Sequence, residues 1–573
     1  MICLQNTVCT FFHRFLYRIS EKIIVSQRKI LNLPEQNLPQ FHFTLFVDLM
    51  SNEFDMSKIQ WPQVNELSEL DRKIHELSQK YYPEAIELLR EIVRLPADFY
   101  DKDPFCGTSN HEGPRLQYLM KRIVEIGAVE KAEDVRIDAF GSIVWTVTDS
   151  NDETPLDKRR VVYYDGHTDT VYPLREEWRK RIGEGIDCFN GMTDPSKVSE
   201  EALRKELRHV PPREKWDQLI FGRGTADQLQ GVVSQVFATK ILLETKALGS
   251  LKGAIIVSVG TVTEEDNDGG APMHIIRKQI TQPHEVPDCV IFTEGTGDLT
   301  KGPCGIYIGQ RGRCQVEVEV VGQSCHGSMP TQGINPLEYG AMIIAEAAQQ
   351  AKDGFLPHAF LGKGTRTASW CKLDTPSDCA VPAKFLFRFD RRMTRGETAQ
   401  MAIEEIRSLK AIKIAEDAGC KVDVRIPLYN EKSWVGVPAD NAQDYMGWVT
   451  PPTDPVVQCA YDAYKRTVTP YIPENAPLDP DTLRKEPRVE RWIFSTDGVG
   501  FPVRKEEARF SLENKNWIEV GEYVHPPMFG IGAGYEHHCH KLGEYLHKEH
   551  IWCPIAVMAR FPSLFVSARP PAK

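Results

Sequence analysis

The stretch VVYYDGHTDTV, residues 161–171, joins a short apolar run to a histidine and an aspartate, His167 and Asp169. An apolar run of this length is typical of a strand that is buried on both faces of a sheet. One helical pattern and two further apolar strands follow along the chain, at 231–245, 254–262 and 289–293. This alternation of strand, helix and strand predicts an α/β fold, with a mainly parallel sheet and helices on both of its faces.

The pattern changes in the segment CQVEVEVVG, residues 314–322, where apolar and polar residues alternate with period two. Such alternation is typical of an antiparallel strand with one exposed face. Helices and strands continue to about residue 431 and predict a smaller α+β domain, ferredoxin-like, inserted into the first. We therefore expect an N-terminal extension at residues 1–57. The main domain comes in two parts, 58–306 and 432–573. A lid or dimerisation domain, 307–431, is inserted between these parts.

Two long polar segments, 175–219 and 441–490, interrupt the main domain. Segments of this length without a regular pattern are usually surface structure. The first carries Trp178, Phe189 and Trp216. It could narrow a substrate cleft, contact a second subunit or cover the surface.

The composition excludes several classes of protein. Hydrophobic residues make up 41% and charged residues 26% of the 573 residues, as in a globular, water-soluble enzyme. The net charge of −11 argues against nucleic-acid binding. No run approaches the ~20 apolar residues of a transmembrane helix, so we expect no membrane association. Fourteen cysteines without a CxxC pair suit a reducing compartment and favour a cytoplasmic location.

Residues 10–29 are basic, with five Lys or Arg residues and a single acid, Glu21. This composition is weakly similar to that of an amphipathic mitochondrial targeting peptide. Two alternatives are an unstructured extension and upstream sequence that is not translated, with Met50 or Met56 as the start.

Histidine and carboxylate side chains follow the predicted strands or precede a helix. They are His167 and Asp169, Asp227, Glu264 and Glu265, and Glu294. Since ligands of an open α/β sheet bind beyond the carboxyl ends of its strands, we expect these side chains to converge on one crevice. Each alone is also common as a helix cap or a solvated turn. Together they form a ligand set that suits Zn²⁺, Mn²⁺ or Co²⁺.

The spacing within the pairs His167 and Asp169, and Glu264 and Glu265, suggests different roles for the two residues of each pair. His167 and Asp169 are two residues apart, so in extended backbone both point to the same side, and the carboxylate can hold the second imidazole nitrogen. Adjacent Glu264 and Glu265 cannot share a face in an extended chain. One can therefore ligate a metal while the other stays free as a base.

The strings GHTDTV, GRGTADQ, TEEDNDGG and FTEGTG, in this order, resemble the zinc aminoacylase and carboxypeptidase superfamily, which includes succinyl-diaminopimelate desuccinylase and acetylornithine deacetylase. The resemblance continues through GQRGRCQVEVEVVGQSCHGSMPTQGINPLE, FRFDRRMTRGET and FSTDGVG. These longer strings are most similar to a bacterial branch of selenium-metabolism hydrolases. Apart from the polar insertions, the resemblance covers the chain from about Trp61 onward.

The resemblance implies a centre of two zinc ions, with Co²⁺ or Mn²⁺ as alternatives, and five protein ligands. Asp227 bridges the two ions, His167 and Glu294 bind the first, and Glu265 and His540 bind the second. Among the histidines of GIGAGYEHHCHKLGEYL, His540 is followed four residues later by Glu544, as in the family pattern. His538 is the alternative ligand.

The resemblance also implies the roles of the catalytic residues. Asp169 orients the first histidine. Glu264 is the general base that takes a proton from the attacking water, which the two metals hold between them as hydroxide. The main domain is then the catalytic domain.

Three residues of the inserted domain are candidates for substrate binding. In dimeric relatives, a histidine at the position of His326 reaches the partner's active site, although a structural histidine at a strand end is the alternative. Arg392 matches an arginine that holds a substrate carboxylate, with Arg391 as the alternative. Asn335 could shape the substrate pocket or form a turn. We expect a homodimer through the inserted domain.

The sequence therefore predicts a metal-dependent hydrolase that cleaves an amide or peptide bond of a small amino-acid-derived substrate. An N-acyl or N-carbamoyl amino acid is the alternative to a peptide, because both use the same centre. A non-catalytic binding protein that retains the fold is the alternative from another class. That alternative predicts the loss of a ligand or of the base, and the sequence has them all.

Overall fold

A computed structural model describes residues 53–95, 111–183, 188–189, 191, 194–355, 357–508, 510–513 and 515–569. Nearly all of the predicted N-terminal extension, including the basic segment 10–29, lies outside the described residues. The domain boundaries given above stay predictions.

In the described part of the chain, nine strands form a mixed central sheet. Its longer strands are β1 (Val135–Ile137), β2 (Ile143–Thr148), β3 (Arg160–His167), β4 (Ala254–Thr261), β5 (Cys289–Phe292), β6 (Ile306–Gln310), β11 (Val489–Trp492) and β12 (Met528–Gly530). The order is β1-β2-β4-β3-β5-β12-β6, with Trp448–Val449 at the far edge and β11 paired to β6. The central strands β4, β3, β5 and β12 are parallel, and β1 and β2 are antiparallel to their neighbours.

Both faces of the central strands are buried, because alternate residues of each strand belong to different cores. In β3, Val162 and Tyr164 pack against the helical face, and Val161 and Tyr163 pack on the opposite face. The helical face is covered by α1 (Glu69–Val93), α2 (Gly113–Ile126), α3 (Leu229–Glu244), α7 (Pro455–Thr467) and α8 (Trp552–Ala568).

The opposite face is covered by short elements. They include the helical turns Gly270–His274 and Ile275–Gln279 and a small antiparallel sheet with the strands Val503–Arg504, Ile518–Val520 and Tyr523–His525. The predicted α/β fold with an inserted α+β domain is confirmed. Among the described residues, the long helices cover one face, and short helical turns and strands cover the other.

The inserted domain has an antiparallel sheet in the order β8-β9-β7-β10. Its strands are β7 (Gly312–Val321), β8 (Thr365–Asp374), β9 (Lys384–Met393) and β10 (Lys421–Arg425), and its helices are α4 (Pro336–Asp353), α5 (Ala399–Arg407) and α6 (Lys410–Asp417). The alternating residues Val316, Val318 and Val320 of β7 pack against these helices. The chain passes from one sheet to the other across Arg311, between the end of β6 and the start of β7.

One helical stretch of the described residues, Lys548–Ala568, is long and apolar enough to cross a membrane by length and composition, and 72% of its most apolar window is buried inside the protein. It includes α8, which packs against α1, α3 and α7. In the sequence, Arg560 and two prolines interrupt this apolar stretch, so it was not recognised there as a long apolar run.

Candidate metal centre

The segments that carry the predicted ligands meet at the carboxyl ends of the parallel strands. His167 is the last residue of β3, and Glu294 is the second residue after the end of β5. The helical turn Glu264–Asn267 follows β4, and Asp227 lies just before α3. The central strands of an α/β sheet thus deliver three of the four groups to one edge.

Asp227 lies between two histidines and offers one carboxylate oxygen to each. Its Oδ1 is 3.0 Å from Nε2 of His167, and its Oδ2 is 3.2 Å from Nε2 of His540. On the first side, Oε2 of Glu294 is 3.6 Å from Nε2 of His167. On the second side, Oε2 of Glu265 is 2.9 Å from Nε2 of His540. The five side chains therefore surround Asp227, with one histidine at each of its oxygens. An oxygen of Glu265 also lies within 4.8 Å of ligand atoms of His167 and Asp227. The pairing of Glu294 with His167 and of Glu265 with His540 agrees with the grouping that the resemblance implies.

Asp169 supports both His167 and the turn that carries the two glutamates. Its Oδ1 is 3.4 Å from Nδ1 of His167. The same carboxylate accepts the backbone N–H groups of Glu264 at 3.2 Å and Glu265 at 3.0 Å. Asp169 is buried, so these contacts fix the imidazole and the glutamate turn relative to each other.

The electrostatics of the cluster fit a cation. Burial raises the pKa of Glu294 well above its usual value, and Asp227 adds to the effect. Burial likewise raises the pKa of Glu264, to which Glu265 contributes. Glu265 and Asp227 raise the pKa of His540 to about 11, against the effect of burial. Crowded, buried carboxylates of this kind need positive charge nearby, and the nitrogen and oxygen donors suit Zn²⁺, Co²⁺ or Mn²⁺.

Glu544 holds the loop that carries Asp227, a role that the sequence prediction missed. Its Oε1 accepts the backbone N–H groups of Gly224 at 3.1 Å, Ala226 at 2.9 Å and Asp227 at 3.0 Å. Its Oε2 accepts a hydrogen bond from Arg223 at 2.6 Å. Glu544 and Arg223 are both buried. In the sequence, the position of Glu544 only helped to identify His540 as a ligand. A sequence motif does not show which backbone N–H groups a carboxylate will accept.

The segment that carries His540 packs against the predicted insertion 175–219. Trp178, Ile182, Leu203 and Trp216 of the insertion are fully buried in one apolar cluster, which also contains three residues on either side of His540, namely Tyr535, Leu542 and Tyr545. The expectation of surface structure is therefore wrong for the core of this segment.

The second insertion also contacts this region. Asp481 accepts a hydrogen bond from the Tyr535 hydroxyl at 3.1 Å and lies 3.0 Å from Nε2 of His209. Polar contacts thus join the two insertions beside the segment that carries His540.

Gly534 allows the C-terminal segment to run directly beside the Asp227 loop. A Cβ atom at this position would lie 2.4 Å from the carbonyl oxygen of Ala226. Gly532 has the same role beside Glu294, whose carbonyl oxygen would lie 2.2 Å from a Cβ atom. Both close approaches are between backbones and admit glycine alone.

The structure distinguishes the two arginines of the inserted domain. Arg391 is buried and pairs with Glu397 and Glu405 at 2.6 and 2.9 Å. Arg392 instead donates to Oδ1 of Asp390 and Oγ of Ser495, both at 2.8 Å. Since Ser495 belongs to the main domain, Arg392 faces the catalytic side. Its role in substrate binding stays a prediction.

His326 and Asn335 lie in the inserted domain and have local contacts. His326 is exposed, and its Nδ1 is 2.8 Å from the hydroxyl of Ser328. Asn335 caps α4 by accepting the N–H of Leu337 at 3.1 Å and donates to Glu338 at 2.9 Å. Among the contacts of the described residues, neither side chain touches the metal centre of its own chain, and the predicted substrate roles stay predictions.

Comparison with known proteins adds three findings. The model of the peptidase dimerisation domain matches residues 308–417. The uncharacterized protein YgeY of Escherichia coli (strain K12) is 29% identical over 492 residues, which cover 85% of this chain and 96% of YgeY. The succinyl-diaminopimelate desuccinylase of a Nitratiruptor species is 27% identical over 170 residues, 30% of this chain and 43% of the desuccinylase.

A solved structure shares the fold. It is the M20 family metallo-carboxypeptidase Sso-CP2 from Sulfolobus solfataricus, with a TM-score of 0.53, 14% identity, and coverage of 84% of this chain and 99% of that one. The dimerisation domain of this family, the desuccinylase relative and the shared fold agree with the motifs and with the grouping of their side chains. These findings support the zinc aminoacylase and carboxypeptidase superfamily, whose members are metal-dependent hydrolases, as the family of this chain.

Proposed function

We propose that this protein hydrolyses an amide or peptide bond of a small amino-acid-derived substrate at a centre of two zinc ions. The observation that carries the proposal is the position of Asp227, whose two oxygens face His167 and His540 at 3.0 and 3.2 Å. With Glu294 on one side and Glu265 on the other, each ion would have three protein ligands. Three protein ligands leave a position open, as catalytic zinc sites require.

Glu264 is the general base of the proposed reaction. When bound, the two ions supply Lewis-acid activation of a water molecule and of the substrate carbonyl. The carboxylate of Glu264, 3.8 Å from Nε2 of His167, accepts the proton of the attacking water and returns it to the leaving amine. Asp169 keeps His167 in the orientation that metal binding needs.

A homodimer completes the proposed active site. The exposed His326 contacts Ser328 and lies within the part that matches the dimerisation domain. We infer that it reaches the centre of a second subunit and donates a hydrogen bond to the oxyanion of the transition state. Arg392, beside Ser495, would hold the carboxylate of the substrate.

An N-acyl amino acid is the first substrate class to test, because the desuccinylase relative removes a succinyl group by its name. A dipeptide panel is the second, since the same centre serves both bonds. Metal content measured by plasma mass spectrometry, together with turnover on both panels, tests the proposal.

The variant Glu264→Gln separates chemistry from metal binding. It should keep two ions per chain and lose turnover by at least about 10²-fold, the usual contribution of a general base. Two bound ions with no turnover of any amide in the wild type would favour the binding-protein alternative. Full turnover in the metal-replete variant would reject Glu264 as the base.

A further inference from the structure

Cys539 lies against the metal centre, immediately before His540. Its sulfur, an oxygen of Asp227 and an oxygen of Glu294 all lie within 4.8 Å of one another, close enough to share one ion. Among the cysteines that the structure describes, this is the one that joins a cluster of metal-ligating atoms. Neither the motifs nor the resemblance pointed to this residue.

The side chains of the adjacent residues Cys539 and His540 lie on opposite sides of Asp227. The imidazole of His540 lies on the side of Glu265, 2.9 Å from its carboxylate. The sulfur of Cys539 lies on the side of Glu294. The backbone of His540 has a φ of 63°, in the left-handed region, so the chain turns sharply between the two side chains.

The protein contact of the sulfur is weak and leaves it available as a ligand. Its hydrogen-bond acceptor is the carbonyl oxygen of Tyr535 at 3.6 Å, and a thiol is a poor donor. The residue is partly buried, and its thiol faces carboxylates that would hold an ion.

We propose that Cys539 is a further, soft ligand of the ion on the side of Glu294. This ion would then have four protein ligands, and the open position of the centre would lie on the ion that Glu265 and His540 hold. The inference rests on the proposed two-metal function. A thiolate in a set of imidazole and carboxylate ligands favours thiophilic ions such as Zn²⁺ and Cd²⁺ over Mn²⁺. A centre with nitrogen and oxygen ligands alone accepts several divalent ions. Cys539 would therefore make this centre prefer zinc.

Cobalt substitution tests the proposal by spectroscopy, without any substrate. Apoprotein of the full chain is loaded with Co²⁺, and bound cobalt is measured by plasma mass spectrometry alongside the absorption spectrum. We expect visible d–d bands from both ions and a near-ultraviolet charge-transfer band from sulfur to cobalt. Cys539→Ala and Cys539→Ser should lose the near-ultraviolet band and retain the d–d bands. The matched control Cys379→Ser, at an exposed cysteine of the inserted domain, should keep both.

A metal competition gives the second readout. Replacement of Cys539 by Ala should lower the affinity for Cd²⁺ relative to Mn²⁺ by about tenfold or more, the scale of losing a side chain that supports a metal. Cobalt bound at two ions per chain without a near-ultraviolet band would overturn the role of Cys539 and leave the proposed function intact. A band that persists in both Cys539 variants would also overturn it. A chain that binds no cobalt would overturn the two-metal function itself.

Discussion

At the scale of single residues, the buried Glu544 determines where Asp227 lies. Glu544→Gln keeps the shape of the side chain but removes the charge that faces the buried guanidinium of Arg223. We expect metal affinity to fall by about 10–100-fold, as for other residues that support metal ligands. We also expect a loss of about 3–5 kcal/mol in the free energy of unfolding, the cost of breaking a buried ion pair.

Metal titration and urea unfolding measure the two effects, and exposed Glu549→Gln is the control. Unchanged metal affinity would contradict the positioning role.

His547 makes the stability of the protein depend on pH. Burial lowers the pKa of His547 to about 3 and that of His550, stacked on it at 4.3 Å, to about 4. Because an unfolded histidine has a pKa of ~6.5, the unfolded chain binds the proton more readily between these values. The stabilisation by the neutral histidine is therefore complete above about pH 6.5 and is lost as the pH falls, at about 1.4 kcal/mol per pH unit.

The variant His547→Asn isolates this effect. Asp444 and Glu536, with pKa values raised by burial to about 6 and 7, change stability in the opposite direction, but they are present in both proteins and cancel. The difference in the free energy of unfolding between wild type and variant should therefore shift by about 2 kcal/mol in favour of the variant between pH 6.5 and pH 5. Urea unfolding at fixed metal concentration measures it, and a difference that is constant with pH would reject the assignment.

The residues of the centre were predictable to different degrees. His167, Asp227, Glu265 and Glu294 could be found because each lies at a strand end or a helix start that the apolar pattern marks. Glu544 and Cys539 could not, since their roles depend on backbone groups and on folding of the C-terminal segment against the centre.

At the scale of elements, the insertion 175–219 is a support for the segment of His540. Leu203 is fully buried in the shared apolar cluster and packs beside Gly543. Leu203→Ala should cost about 2–5 kcal/mol through the cavity that it leaves. We expect the ion on the side of His540 to be lost first, so that metal content falls from two ions toward one.

Leu119→Ala is the matched control, because Leu119 is equally buried but lies in α2, in the main core. A similar loss of stability with two ions retained would show that the effect at Leu203 is specific to the second ligand group. If both variants keep two ions, the insertion does not position His540. The sequence could not predict this support, because the aromatic residues of the insertion are spaced irregularly among charges and follow neither the helical nor the strand period.

At the scale of the whole molecule, the inserted domain offers an edge for a second copy. In the described chain, β8 pairs with β9 on one side only and carries Trp370, which is 43% exposed. An unpaired strand edge with an exposed aromatic residue is suited to pairing with an identical strand across a twofold axis. The alternating pattern could predict the strands of this domain, but not which of them would lie at the edge.

The proposed dimer makes a prediction about two inactive variants. In a heterodimer of His326→Ala and Glu264→Gln, one centre combines the intact Glu264 of one subunit with His326 of the partner subunit, and the other centre has neither. Because half of randomly paired dimers are mixed, a subunit-exchanged mixture should recover about a quarter of the wild-type turnover. Native mass spectrometry confirms that exchange has occurred. Recovery requires that His326 act in the partner's centre, since a histidine that served its own centre would leave both sites of the heterodimer defective. Exchange without any recovery would therefore reject the shared active site.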